Sequence, residues 1–411
     1  MKEKIIQRVL RFLAWTILKR RKPFVVAITG SVGKTTTKEA VAKILGASLR
    51  VRSSAKNYNT EVGVPLTILG CQVDYGKNKI LQIIGVLAYW LKALFFERNY
   101  PEVLVLEMGA DKPGDIKYFC DFIPINVGVL TEIGNSHLEN FKTKQALATE
   151  KGFLLRSVEE KGLAVFNKDN KMVREVGEKL SVNTIGYGIE EESEMRATDI
   201  VSKIEAGVNV RKIRGTNFKL NYQGKVLPVR LDCCVGRGIV YSVLAALAVG
   251  RYFDLNVIEM IESLKDFQPC SGRMTLVKGI KKSIVIDDTY NSAPASLKLA
   301  LDLVEKVKAL RKIIVLGDML ELGDDEARSH RNAGKRVVEI QPDYFIAVGE
   351  RMKEAVDFYE KNSPNNENAM FFKNSLDARD VVREMVQPGD LVLVKGSRGM
   401  KMEKIVETIK E

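Results

Sequence analysis

The chain has 411 residues, 45% apolar and 28% charged, the balance of a soluble globular protein with material for two or three domains. Its five cysteines (71, 120, 233, 234 and 270) and two histidines show no metal-ligand spacing, which argues against a disulfide framework or a zinc site and for a reducing cytoplasm. The formal charge of +12 is unevenly spread: residues 1–24 carry eight basic side chains against one acid, Glu3, so it marks a basic segment rather than a nucleic-acid-binding surface.

Residues 3–22, EKIIQRVLRFLAWTILKRRK, have the spacing of a basic amphipathic helix. They are too short and too charged to span a bilayer, and no small-residue cleavage site follows. Two expectations stand for this helix: it lies on an anionic membrane surface at the inner face of the membrane, or it packs on its own domain or a partner subunit.

Next comes FVVAITGSVGKTTTKEAVAKIL, residues 24–45, which reads as strand, glycine turn, helix. Gly30 and Gly33 bracket a turn formed with Ser31 and Val32, where bare backbone can close on a ligand. Lys34, Thr35 and Thr36 then open a helix, whose free N–H groups and positive dipole end favour phosphate. Lys34 would reach the outer phosphates and the Thr35 hydroxyl would sit on Mg²⁺. Ile28 stands where the full eight-residue P-loop pattern has its first glycine, so the spacing is the shorter G-x-x-G-K-T-T.

Residues 55–70, rich in Asn and turn formers, read as a loop returning to the site. Residues 80–96, ILQIIGVLAYWLKALFF, are borderline for a membrane span; they are expected to form a helix buried against the N-terminal one, or with it a membrane-facing pair. Val103–Leu106 is a buried strand with Glu107 at its carboxyl end, where open α/β sheets place their ligands, so Glu107 is a candidate Mg²⁺ ligand. His137 follows a further strand at 127–130, and a helix over 143–157 contains Lys151. Residues 196–232 alternate like an antiparallel meander, and a helix near 238–252 closes the domain. Beyond a boundary near 268–272 strands and helices alternate regularly to the end. The fold class expected is α/β: a central P-loop ATPase-like domain with a mostly parallel sheet over 24–270, carrying the apolar helical insertion 80–96, then a C-terminal doubly wound Rossmann-like domain over 271–411, with the helix of 1–23 ahead of both.

Nine ordered motifs, GSVGKTTTKE, NYNTEVGVPLTIL, LEMGADKPGDI, GNSHLENF, EKGFLL, SGRM, IDDTYNSAP, VLGDMLELG and VKGSRGM, resemble those of the Mur ligases from about residue 24 to 407. The resemblance is strongest to the members that add D-alanyl-D-alanine to a UDP-linked muramoyl-tripeptide. It implies an ATP-dependent amide ligase of peptidoglycan synthesis working through an acyl phosphate, with a muramoyl-peptide acceptor and a D-amino-acid dipeptide as amine. It also implies a second metal site at His137 and a carbamylated Lys151. Arg273 would reach the γ-phosphate, and Asp288 with Asn291 would hold the nucleotide. Lys395, Ser397 and Arg398 would meet the amine substrate's carboxylate, and Asn57 and Asn59 fall in the substrate loop. Arg273 therefore joins Lys34, Glu107, His137 and Lys151 as the expected catalytic set.

Three positions depart from the family pattern. Only about 23 residues precede the first strand, where family members carry a uridine-nucleotide-binding domain, so a lipid-linked acceptor is conceivable. Ile239 stands where an adenine-contacting Asn is expected, and Thr60 replaces an Asn in the substrate loop. The competing expectations are another amide ligase of the superfamily, such as a folylpolyglutamate or poly-amino-acid synthetase, and a membrane-associated nucleotide-binding scaffold.

Overall fold

The structure, a computed structural model, describes residues 2–55, 58–71, 79–134, 138–207, 210–364 and 366–411. Its first part is built on one sheet. The strands are β1 (Phe24–Thr29), β2 (Val51–Ser53), β3 (Val103–Glu107), β4 (Ile125–Leu130), β5 (Val158–Asn167), β6 (Asn183–Gly188), β7 (Met195–Gly207), β8 (Val210–Tyr222) and β9 (Lys225–Leu231). They lie in the order β2-β3-β1-β4-β5-β6-β7-β8-β9. The pairs from β2 to β7 are parallel and β7-β8-β9 is the expected antiparallel meander, fused edge-on to the parallel part.

The parallel strands are continuous apolar runs because both faces of the sheet are covered. One core contains Val25, Leu104 and Leu106 with the inward side of the first helix; the other contains Val26, Val105 and the helix Arg237–Tyr252. β1 lies between β3 and β4, with Ile28 opposite Glu107 and Thr29 opposite Leu130. The chain leaves this central strand between neighbours that run to either side, the switch point at which such sheets bind ligands.

The second sheet holds β10 (Thr275–Lys278), β11 (Ile284–Asp288), β12 (Arg311–Gly317), β13 (Tyr344–Val348), β14 (Ala369–Phe372) and β15 (Asp390–Lys395), in the order β10-β11-β15-β12-β13-β14. Only the short β10 runs antiparallel among these. β11 and β15 are paired so that Asp288 faces Lys395 at their carboxyl ends.

The N-terminal helix, α1 (Lys2–Arg21), buries Leu10, Leu13, Ala14, Ile17 and Leu18 against the first core. α2 (Lys34–Gly46) starts directly after the glycine turn. The segment expected as a loop over 55–70 contains a short helix, α3 (Gly63–Leu69), all seven residues of which are buried. Turn formers around it hid an apolar run that ends on Gly70 in the left-handed conformation, and the Thr60 hydroxyl accepts from the Gly63 N–H at its start. The apolar segment 80–96 is helical as α4 (Lys79–Leu91), continued by a π turn at Lys92–Phe96. It packs beside α1 by one side only, through Ala93 and Leu94, while Ile84, Tyr89, Phe95 and Phe96 stay exposed.

Candidate active site

The carboxyl ends of β1 and β3 and those of β11 and β15 face one cavity of about 250 Å³. Ser31 to Lys34, Asn59, Glu107 and Lys151 line it from the first sheet; Arg273, Asp288, Asn291 and Lys395 line it from the second. Of the three residues expected at the amine substrate, Lys395 lines this cavity, whereas Ser397 and Arg398 are not in its lining.

The glycine turn is held by β4's successor residues. The Ser31 N–H donates to the Glu132 carbonyl at 2.7 Å, and the Thr131 hydroxyl donates to the Val32 carbonyl at 2.6 Å. The Ser31 hydroxyl accepts from the Gly134 N–H at 3.0 Å. Gly33 takes φ 85° as the cap of α2, a conformation costly to any residue with a Cβ. The turn is thus fixed before any ligand arrives.

Lys34 folds back to donate to the Gly30 carbonyl at 2.8 Å. Burial holds its ammonium below the ordinary lysine range, opposed by Glu107 and aided by Arg273. The Thr35 hydroxyl donates to Glu107 Oε2 at 2.9 Å, and Asn59 Nδ2 donates to Glu107 Oε1 at 3.1 Å. Glu107 is 2% exposed, so its carboxylate is engaged inside the protein rather than at the surface. Lys38, also buried, stands 4.0 Å from the same carboxylate and donates to the Ser54 carbonyl. Nothing in the sequence singled out Lys38; only its position one helical turn after Lys34 hinted at a shared face.

Lys151 projects from the helix Lys144–Arg156 and donates to the Gly30 carbonyl at 3.2 Å. It is 1% exposed, and burial, with the Lys34 charge as second cause, lowers its pKa to about 7. His137 and Asn57 lie outside the described residues.

From the second half, Arg273 Nη2 donates to the Thr35 hydroxyl at 3.0 Å, across 238 positions of sequence. Its guanidinium lies 3.8 Å from the centre of the Tyr290 ring, with the Arg398 guanidinium 5.8 Å from that ring. Among the described residues the buried Arg273 Nε has no hydrogen-bond partner. Tyr290 sits inside the motif IDDTYNSAP, yet its use as a platform was not legible without the stack.

Lys395 is buried and pairs with Asp288 Oδ2 at 2.6 Å while donating to the Asn291 carbonyl at 2.9 Å. The Ser397 hydroxyl donates to the Ser292 carbonyl and accepts from the Leu320 N–H. Of these three expected carboxylate-binding residues only Arg398 is exposed; Lys395 and Ser397 are already engaged inside the protein. At the former adenine position, Ile239 lines the cavity and Arg237 pairs with Glu190.

A glycine turn at a helix start, a buried carboxylate beside a hydroxyl, and an arginine brought from a second sheet coincide with two family matches. Residues 28–250 match the Mur ligase middle domain, and residues 272–398 match the Mur ligase, glutamate ligase domain. The chain belongs to the Mur ligase family. Among relatives of this Mur ligase is the UDP-N-acetylmuramoyl-tripeptide–D-alanyl-D-alanine ligase of Bacillus subtilis, 28% identical over 98% of this chain and 79% of that protein. The MurF ligase of Thermotoga maritima, solved in complex with ADP, is 25% identical with a TM-score of 0.80 over 98% of this chain and 83% of that one. A Mycobacterium tuberculosis folylpolyglutamate synthase shares the fold at a TM-score of 0.67 and 15% identity, covering 97% of this chain and 95% of that one.

Proposed function

We propose that this Mur ligase joins D-alanyl-D-alanine to UDP-N-acetylmuramoyl-tripeptide in peptidoglycan precursor synthesis, driven by ATP. The observation that carries it is Arg273 at 3.0 Å from Thr35, which sets a cation from one half of the chain beside the phosphate loop of the other. The tripeptide carboxylate attacks the γ-phosphorus of ATP, the bond to the bridging oxygen breaks, and ADP leaves an acyl phosphate. The dipeptide amine then adds to the acyl carbon, phosphate departs with the bonding pair, and the amine proton passes to solvent. Such chemistry needs positioned cations and excluded water more than covalent help from the protein.

Gly30, Ser31, Val32, Gly33, Lys34 and Thr36 hold the phosphates of ATP, and Asp288 with Asn291 holds the rest of the nucleotide. Arg273 stabilises charge on the transferring phosphoryl group, for which its unpartnered Nε is suited. Oxygen donors suit Mg²⁺, and the Thr35–Glu107 pair offers them in a buried setting. When bound, Mg²⁺ would neutralise charge on the phosphate oxygens. Lys151 as its carbamate, and His137, would serve a second metal; the depressed pKa of Lys151 leaves the neutral amine that carbon dioxide requires. Asn57 and Asn59 meet the acceptor. Arg398 receives the carboxylate of the amine substrate, on a turn shaped by Lys395 and Ser397. The work divides between residues 24–270 and 271–411, in the cytoplasm at the inner face of the membrane.

The test is phosphate release from ATP by the purified protein with the muramoyl-tripeptide, with and without the dipeptide, and Lys34→Ala as blank. Release that requires both substrates, with the amide product seen by mass spectrometry, supports the assignment. ATP binding without release would sink it.

A further inference from the structure

The outward side of α1 is apolar where a helix packed only on its own domain would be polar. Ile5, Ile6, Val9, Phe12 and Trp15 are 37–57% exposed, although the opposite side of the same helix is fully buried in the core. Beside it, α4 and its π turn expose Ile84, Leu87, Phe95 and Phe96, the last at 75%. The two exposed sides meet along a seam: Trp90 Nε1 donates to the Thr16 hydroxyl at 2.9 Å, Arg21 Nε donates to the Ala93 carbonyl at 2.7 Å, and the Arg20 guanidinium covers the Phe95 ring. Contiguous apolar surface of this kind marks an interaction site.

What covers it is indicated by the charge around it. Lys4, Arg8, Lys19, Arg20 and Lys22 are exposed on or beside the patch, with Lys92 on the neighbouring segment, and Glu3 is the only acid in residues 2–22 and 79–96 together. Lys19 lies over the Trp15 ring, the arrangement of a cation and an aromatic at a headgroup boundary. No helix among the described residues is long and apolar enough to cross a membrane. Apolar rings flanked by cations on short, firmly seated helices fit an anionic bilayer surface, entered only to the acyl boundary.

We infer that the α1/α4 face docks on anionic lipid. α1 packs on α3, whose first turn is held by Thr60 next to Asn59, so the docked face lies on the side of the molecule that carries the acceptor loop. The inference rests on this surface alone, so vesicle binding and ligase activity can fail independently.

The chain's only two tryptophans, Trp15 and Trp90, both sit on this face, and their fluorescence reports on it directly. The full chain should co-sediment with vesicles of phosphatidylglycerol in phosphatidylcholine, and its emission should shift to the blue. Raising salt from about 0.1 M to 1 M should weaken the association. The exposed-site double variant Phe12→Glu/Phe95→Glu should lose roughly ten-fold in partitioning while keeping its melting temperature and ligase rate. No association with these vesicles, association unchanged in the double variant, or a wild-type dimer that the double variant dissociates would each overturn the inference.

Discussion

Lys34 and Lys151 donate to one acceptor, the Gly30 carbonyl oxygen, at 2.8 and 3.2 Å. Two ammonium groups at a single carbonyl, both removed from water, disfavour each other's protons: burial lowers the pKa of Lys34, and burial with the Lys34 charge lowers that of Lys151 to about 7. Its neutral amine can add to carbon dioxide, losing a proton as the N–C bond forms. Protein equilibrated with ¹³C-bicarbonate should show a carbamate resonance that grows as pH rises through about 7 and is absent from Lys151→Ala. A Lys151→Ala spectrum identical to wild type would rule the modification out.

Glu132 should make stability depend on pH. Burial lifts its carboxyl from an ordinary 4.5 to about 7. Between those values the folded chain keeps a proton that the unfolded chain has released, so this group's contribution falls as pH rises through the window and stays low above it. Glu132→Gln removes the dependence. Denaturant melts should show the variant gaining on wild type, by on the order of 2 kcal/mol, as pH goes from about 5 to 8.

Arg273 meets Thr35 through one arm of its fork and lies over the Tyr290 ring, 3.8 Å from its centre. Lysine can reproduce the charge but neither the fork nor the stack. Arg273→Lys should lower kcat roughly 100-fold, the scale of losing one charge-stabilising donor, with a smaller change in KM for ATP. Tyr290→Leu, which leaves the guanidinium but removes its platform, should fall between that variant and wild type in steady-state kinetics.

Gly30 has no room for a methyl group. A Cβ there would stand 2.0 Å from the Thr131 hydroxyl oxygen and 3.0 Å from the Glu132 nitrogen, the two residues that hold the phosphate turn. Gly30→Ala should weaken ATP binding by more than roughly ten-fold in calorimetry. The chain's melting temperature should move less, because the disturbance stays at the turn and spares the core.

Much of this site was legible in the sequence because its signals are local. The glycine turn follows an apolar strand, Glu107 ends another, β3, and Lys151 lies on a periodic helix; each needs only a few neighbouring residues to be recognised. What was hidden depends on contacts between distant segments. The Tyr290 platform, the buried Lys38 and the internal engagement of Lys395 and Ser397 have no periodicity of their own. α3 was missed because seven residues are too few for a helical period to outweigh the turn formers around them. The strand order required knowing which apolar runs pair, and β2 and β10, at three and four residues, were too short to be noticed.

The bond between Thr35 and Arg273 also bears on the chain while it is being made. A ribosome finishes the glycine turn, Lys34 and Glu107 long before it reaches Arg273, and the strand carrying Asp288 gains its neighbour β15 later still. At ordinary elongation rates that interval is on the order of ten seconds. Throughout it the nascent chain has the glycine turn but lacks the Arg273 guanidinium. The contact between Thr35 and Arg273 is therefore made only once the later part of the chain exists.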